Sequence, residues 1–257
     1  MNHGANMKRQ QGFTIIELSL AMTFISILLL TIALTLIQIA NIYTHGSIVK
    51  ELNATSRAVN TELSTAIRAS GDFTTTPSAH RYKEVPNVGG RMCLGQYSYI
   101  WNYGKSLSTS DSERNLYVAN TTPVNANMVT TDGGSRYEIS FVKVPDSTNG
   151  YCTPDAEGNY KAVDPVGAVE LLRTGDHGIV LHSLQVTPPE ATAKDANSSQ
   201  QLYKISYTLG TSNVAALNGT TTEPPTECRG PGEEGADLNY CSIQQFTLVL
   251  RVAGEVN

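Results

Sequence analysis

The residue whose chemistry is most unusual for its surroundings is Glu17, a carboxylate at the start of a long apolar segment. The 23 residues that follow it, 18–40, read LSLAMTFISILLLTIALTLIQIA and contain no charged side chain. A carboxylate beside hydrocarbon is costly and usually marks function. The alternative is that Glu17 lies at a membrane interface, charged and hydrated.

Four cysteines, Cys93, Cys152, Cys228 and Cys241, are candidate thiols, metal ligands or disulfides. None has the CxxC spacing of a zinc ribbon, so we expect no metal site. In an exported protein an even number of cysteines favours two disulfides, for which three pairings are possible. Free buried thiols are the alternative.

Four aromatic rings alternate along the segment QYSYIWNYG, and the period of 2 places all of them on one face of a strand. An exposed stripe of this kind could stack on sugars or on single-stranded nucleic acid. We favour the other interpretation, in which the rings pack in the core against a helix while Ser98 and Asn102 face solvent. The four residues are Tyr97, Tyr99, Trp101 and Tyr103.

The sequence contains no nucleophile elbow, HExxH motif, P-loop or GxGxxG. No spacing joins His80, His177 or His182 to a serine or cysteine, and the acidic turn at 155–159 lacks the ligand spacing of a calcium loop. The net charge of −5, from 18 basic and 23 acidic side chains, gives no strong signal for nucleic-acid binding. We therefore expect no enzymatic activity, no cofactor and no metal.

The elements that would position these residues begin with a membrane-spanning helix. Residues 18–40 would extend roughly 35 Å as a helix, enough to cross the roughly 30 Å hydrocarbon core of a bilayer. The run is too long for the apolar part of a cleaved secretory signal, no A-x-A motif ends it, and its length argues against a buried core helix. Because Lys8 and Arg9 precede it and a mostly acidic portion follows, we expect a cytoplasmic N-terminus and an external remainder.

An apolar stripe at helical spacing continues beyond the span, and Gly71 after it suits a helix C-cap. We predict one helix over residues 13–71, with the span at 18–40 and the second part lying against a globular head. The stripe consists of Ile48, Leu52, Val59, Leu63 and Ile67.

The head, residues 72–257, loses the helical period and contains short β-like runs separated by Gly, Pro, Asn and Asp. Seven such runs combined with one amphipathic helix predict an α+β fold, in which the helix packs on a mainly antiparallel sheet. We find no sign of a second domain in the head. The runs are 96–103, 115–119, 136–144, 168–173, 179–187, 202–209 and 243–252.

The segment KRQQGFTIIEL, residues 8–18, resembles the N-terminal signal of type IV prepilins and pseudopilins: a basic leader, a Gly, an aromatic residue and a Glu four places later, followed by the apolar helix. The resemblance covers roughly the first 60 residues. It implies that prepilin peptidase removes the leader, residues 1–12, by cutting after Gly12, and that Phe13 becomes an N-methylated N-terminus. It also implies that Glu17 pairs with the Phe13 amine of a neighbouring subunit. Either Met1 or Met7 can be the start.

The loop ECRGPGEEGADLNYC resembles the disulfide-bounded C-terminal loop of many pilins, so we prefer the pairs Cys228–Cys241 and Cys93–Cys152. Many major pilins carry a Pro about twenty residues into the helix, whereas the first Pro here is Pro77, which favours a minor pilin or a pseudopilin.

The resemblance therefore implies a minor pilin that assembles with other pilin subunits. Such a protein is first a single-pass membrane protein and then part of a cell-surface or extracytoplasmic filament. The alternatives are a pseudopilin of a type II secretion or DNA-uptake system, and a tip adhesin with a ligand-binding head.

Overall fold

The structure is a computed structural model, and it divides the chain into two compact units, residues 1–44 and 45–257. The residues that it describes are 12–70, 81–85, 88–104, 128–130, 136–138, 140–156, 160–161, 163, 167–172, 178–187, 200–219 and 223–253. The leader before Gly12 and the expected strand at 115–119 lie outside them.

One helix, α1 (Ile15–Ser70), contributes to both units. It begins two residues later than expected because Thr14 occupies the N-cap position, outside the helix. In the first unit its apolar side chains are exposed. In the second unit the predicted stripe is confirmed, since Ile48, Leu52, Val59, Leu63 and Ile67 are all buried.

Ten strands and a short 3-10 helix (Val214–Ala216) are seen in the described part of the head. The strands are β1 (Tyr82–Val85), β2 (Gly89–Leu94), β3 (Tyr97–Asn102), β4 (Met128–Thr130), β5 (Arg136–Glu138), β6 (Phe141–Pro145), β7 (Val169–Leu172), β8 (Ile179–Thr187), β9 (Gln200–Thr211) and β10 (Ile243–Ala253).

These strands form three antiparallel sheets in the described chain. The largest has the order β1-β2-β3-β6-β7, the second has the order β10-β9-β8, and β4 pairs with β5. The predicted α+β fold, a long N-terminal helix packed on antiparallel sheet, is thus confirmed.

Six of the seven predicted runs fall on described residues and contain strand, but not always with the predicted extent. The run at 179–187 has the predicted bounds, and four other runs shift at their ends by one or two residues. The run predicted at 136–144 is wrong as a single strand, because β5 pairs with β4 whereas β6 pairs with β3 in another sheet. Strands β1, β2 and β4 were not predicted. Strand β2 was missed because it contains glycine, which usually indicates a loop. At Gly90 the glycine is required by close packing, since a Cβ there would lie 2.4 Å from the Trp101 ring.

The main core joins α1 to the inner faces of the two larger sheets. Leu52, Val59, Leu63 and Ile67 of the helix pack there with rings of β3, β6 and β9. A second core covers the opposite face of the five-stranded sheet and contains Ile100, Val142 and the Cys93 and Cys152 side chains. Both faces of β3 are therefore buried.

Candidate functional site

The N-terminal segment places the expected processing and assembly residues around the start of α1. Gly12 and Phe13 lie before the helix, and Phe13 is 88% exposed. A Cβ added at Gly12 would meet nothing within 4 Å. The peptide bond between these two residues is therefore accessible and outside helical structure in the described chain.

Glu17 and Thr14 form a reciprocal capping box. The Thr14 backbone N–H and hydroxyl both donate to Glu17 Oε2 at 2.9 Å, and the Glu17 N–H donates to the Thr14 hydroxyl at 3.3 Å. Thr14 was not among the expected site residues, although the pattern Thr14-x-x-Glu17 before an apolar run is a signal for this cap. Glu17 thus stabilises the helix start within its own chain.

The apolar side chains of the first unit are uncovered. Nineteen of the twenty-five exposed large hydrophobic residues in the described chain lie between Phe13 and Tyr43. Among the residues that the structure describes, α1 is the one helix that is long and apolar enough to cross a membrane.

Polar hydroxyls in the same stretch are satisfied by the helix itself. Five of them donate to a backbone carbonyl three or four residues earlier, at 2.8–2.9 Å. Because of these bonds none of the five hydroxyls is an unsatisfied hydrogen-bond donor, which suits an apolar environment. The five residues are Ser19, Thr23, Ser26, Thr31 and Thr35.

Both expected disulfides are present. Cys93–Cys152 (the head disulfide) has a Cα–Cα distance of 6.1 Å, and Cys228–Cys241 (the C-terminal disulfide) has one of 6.0 Å. These distances lie within the ordinary range for disulfides. The head disulfide is buried in the second core, and the C-terminal disulfide packs with Ala216 and Leu217 in a small third cluster.

Three of the four rings of the aromatic stripe lie in the core. Tyr99, Trp101 and Tyr103 are at most 2% exposed, and Tyr97 alone remains accessible, at 42%. The core interpretation is therefore confirmed for three of the four rings. The expectation that Ser98 and Asn102 face solvent is wrong, because the second core covers that face and leaves them 0% and 6% exposed.

The outer end of the stripe meets a charged pair. Glu62 of α1 accepts hydrogen bonds from the Tyr99 hydroxyl and from Lys143 Nζ, both at 2.6 Å. Burial opposes ionisation, but the hydrogen bonds from Lys143 and Tyr99 outweigh it and hold the pKa of Glu62 below its usual value. The Lys143 ammonium also lies 4.0 Å from the centre of the Tyr97 ring.

A second carboxylate, Glu84, has two phenols and no cation among its described hydrogen-bond partners. The hydroxyls of Tyr82 and Tyr103 donate to its two oxygens at 3.0 and 2.7 Å. Burial raises the pKa of Glu84 despite these bonds. Tyr103 also accepts from the Leu184 N–H at 3.0 Å, so the cluster links β1 to β8 across the two sheets.

Other buried polar groups hold loops and strands in place. Asp146 accepts from the Ser98 hydroxyl at 2.6 Å and from the N–H groups of Gly150 and Tyr151, and these bonds keep the pKa of Asp146 low although burial opposes them. Arg91 donates to two backbone carbonyls at 2.8 Å, and burial lowers the pKa of Arg91 to about 10. Burial likewise lowers the pKa of His182 to about 4.

No group of three or more His, Cys, Asp or Glu side chains in the described part of the chain could hold a metal ion. Of the expected site residues, Phe13 and Glu17 lie together at the start of α1. In the aromatic stripe, Tyr97 is exposed and the other three rings are buried. Comparison of the chain with protein-family models, with curated proteins and with solved structures found no match.

Proposed function

We propose that the chain is a type IV pilin-like structural subunit, a minor pilin, that prepilin peptidase processes and that assembles into a surface filament through α1. The observation that supports this most is the bare apolar surface of the first unit. Each exposed large hydrophobic side chain forgoes about 1.5–3 kcal/mol of burial free energy. The nineteen between Phe13 and Tyr43 must be covered, and lipid covers them before assembly and the helices of other subunits afterwards.

The start of α1 fits the processing step. A peptidase needs an accessible, non-helical peptide bond, and the bond between Gly12 and Phe13 precedes the helix. Cleavage there removes twelve residues with the leader's two basic side chains, Lys8 and Arg9, and leaves a new ammonium group on Phe13.

Glu17 supports the assembly step. In the single chain its carboxylate caps the helix through Thr14. In an apolar bundle it would take the Phe13 ammonium of a neighbouring subunit as its ionic partner, and an unpaired carboxylate there would be strongly disfavoured. A pair of this kind would also set the axial register of adjacent helices.

The processing step is tested by mass spectrometry of the mature N-terminus after co-expression with a prepilin peptidase. We expect loss of residues 1–12 and a single methyl group on Phe13. Gly12→Val should accumulate as an uncleaved precursor, and it should fold normally because a Cβ at Gly12 meets no neighbour. Normal processing of Gly12→Val would refute the proposal.

The assembly step is tested by three variants that separate the cap from the charge. Glu17→Gln keeps an oxygen that can accept from the Thr14 N–H but removes the charge, whereas Thr14→Ala weakens the cap and keeps the charge. We expect Glu17→Gln and Glu17→Ala to insert in the membrane but to enter sheared filaments poorly, and Thr14→Ala to assemble. If Thr14→Ala assembled as poorly as Glu17→Gln, helix capping rather than ionic pairing would be the role of Glu17.

A pseudopilin of a type II secretion or DNA-uptake system is the second candidate, and one observation favours it over a major pilin. Helix α1 runs through Ile15–Ser70 with no proline. Gene context separates the candidates: a neighbouring secretin with secretion genes supports the pseudopilin, and a retraction motor with pilin genes supports the minor pilin.

A further inference from the structure

A groove of about 320 Å³ lies between α1 and the turn that joins β2 to β3, within the second unit. Thr65 and Ala66 of the helix form one side, and Gln96, Tyr97 and Lys143 form the other. Its size is at the lower end of the roughly 300–1,000 Å³ that small-molecule sites occupy.

The groove contains the one accessible ring of the aromatic stripe. Tyr97 is 42% exposed even though the Lys143 ammonium lies 4.0 Å from its ring centre. Lys143 is itself held by Glu62 at 2.6 Å, so the ring lies beside a fixed ion pair on two well-buried elements. An aromatic surface positioned in this way loses little conformational freedom when a ligand stacks on it.

The charges of the groove select against ionic ligands. Its described lining holds one carboxylate, Glu62, and one ammonium, Lys143, and the two neutralise each other. An anionic ligand would compete with Glu62 for Lys143, and a nucleic-acid strand would find no surplus of positive charge along its backbone.

The polar groups of the groove suit a ligand with many hydroxyls. Gln96 is exposed and presents an amide that can both donate and accept. The Thr65 hydroxyl donates to the Thr61 carbonyl at 2.8 Å, which leaves its lone pairs as acceptors. A pyranose ring has an apolar face and a rim of hydroxyl groups. The flat ring of Tyr97 matches the face, and the neutral donors and acceptors of Gln96 and Thr65 match the hydroxyls.

We propose that this groove binds a neutral saccharide, with one pyranose face stacked on the face of the Tyr97 ring opposite Lys143 and ring hydroxyls hydrogen-bonded to Gln96 and Thr65. This function goes beyond assembly, because it uses the second unit alone and does not depend on processing of the N-terminus. It would make the subunit a ligand-binding component of whatever structure displays it.

The test is saturation-transfer NMR on the full chain in micelles of a detergent without a sugar headgroup. The probes are methyl β-glucoside, methyl β-galactoside, methyl α-mannoside and N-acetylglucosamine. We expect saturation transfer to the ring protons of at least one probe, and a loss of affinity of about tenfold or more in Tyr97→Ala, because the stacking surface is removed.

Two variants control the test. Tyr240→Ala removes an exposed ring, 57% accessible, from the loop of the C-terminal disulfide and should bind like the parent chain. Tyr97→Phe keeps the stacking surface and should retain binding, and an unchanged Trp101 fluorescence spectrum shows that the variants are folded.

The proposal is overturned if no probe receives saturation, if Tyr97→Ala binds as tightly as the parent chain, or if Tyr240→Ala loses as much affinity as Tyr97→Ala. Binding of oligothymidylate at Tyr97 in place of all four sugars would also overturn it and would make the groove a nucleic-acid site.

Discussion

Two carboxylates in the head, Glu62 and Glu84, both accept hydrogen bonds from tyrosine hydroxyls. Replacing each of them in turn should nevertheless change the free energy of unfolding by different amounts. Glu62 also pairs with Lys143 at 2.6 Å, whereas Glu84 has two phenols as its described partners. Hydrogen bonds to charged groups contribute about 1.5–3 kcal/mol, and both members of the Glu62–Lys143 pair are less than one-third exposed. We expect Glu62→Gln to lower the free energy of unfolding by about 2 kcal/mol at neutral pH.

Glu84→Gln should behave differently. The amide oxygen still accepts from one phenol, and the other phenol can donate to the Leu184 carbonyl, which lies 3.1–3.2 Å from both hydroxyls. The variant also removes a charge that is disfavoured by burial. We therefore expect a loss below about 1 kcal/mol, or a gain.

The pH dependence of the two contributions has opposite signs. The folded-state pKa of Glu62 is depressed, so its contribution is present above the ordinary value of 4.5 and is lost as the pH falls through the lowered pKa. The folded-state pKa of Glu84 is raised, so the parent chain loses stability at this site as the pH rises from 4.5 through the raised pKa. The free energy of unfolding of Glu62→Gln should thus approach that of the parent chain at acid pH. The free energy of unfolding of Glu84→Gln should rise relative to that of the parent chain as the pH increases towards neutral.

The assay is guanidinium unfolding of the full chain in detergent micelles, followed by the fluorescence of Trp101, the single tryptophan. Curves at pH 7 and at several acid values give the free energy of unfolding for each variant. The reasoning is refuted if Glu84→Gln costs as much as Glu62→Gln at pH 7, or if the loss in Glu62→Gln does not shrink on acidification.

Three further outcomes can be measured by the same unfolding assay. Replacing both cysteines of the head disulfide by alanine should cost about 4 kcal/mol, against about 3 for the C-terminal disulfide, because their sequence separations are 59 and 13; equal losses would contradict the loop-entropy account. Gly90→Ala should cost more than about 2 kcal/mol, because the new Cβ would lie 2.4 Å from the Trp101 ring, whereas Gly46→Ala, in an open helical position, should cost nothing or stabilise. Because burial lowers the pKa of His182 to about 4 from 6.5, the parent chain should lose stability as the pH falls from 6.5 to 4, and His182→Gln should lack that slope.

Features that depend on neighbours along the chain could be predicted from the amino-acid sequence alone. The helical stripe from Ile48 to Ile67 and the exposed apolar run before it follow from a period of 3.6 and from length, which are local properties. The cap joins Thr14 and Glu17, which are three positions apart, and the sequence pattern was sufficient to predict it as well. The alternation of rings in β3 correctly indicated two distinct faces.

Contacts between distant segments decided the remainder. A period of 2 shows that β3 has two faces but not whether each is covered. The burial of Ser98 depends on a second core, to which β6, Tyr151, Cys152 and Val163 contribute. The pairing of β5 with β4 and of β6 with β3 divides a run that looks continuous. Glu62 and Lys143, 81 residues apart, meet only because α1 packs on the sheet that contains β6. Local sequence periodicity fixes the conformation of a segment, whereas the partner that its side chains reach is set by how the whole chain closes on itself, and that is decided by the tertiary structure.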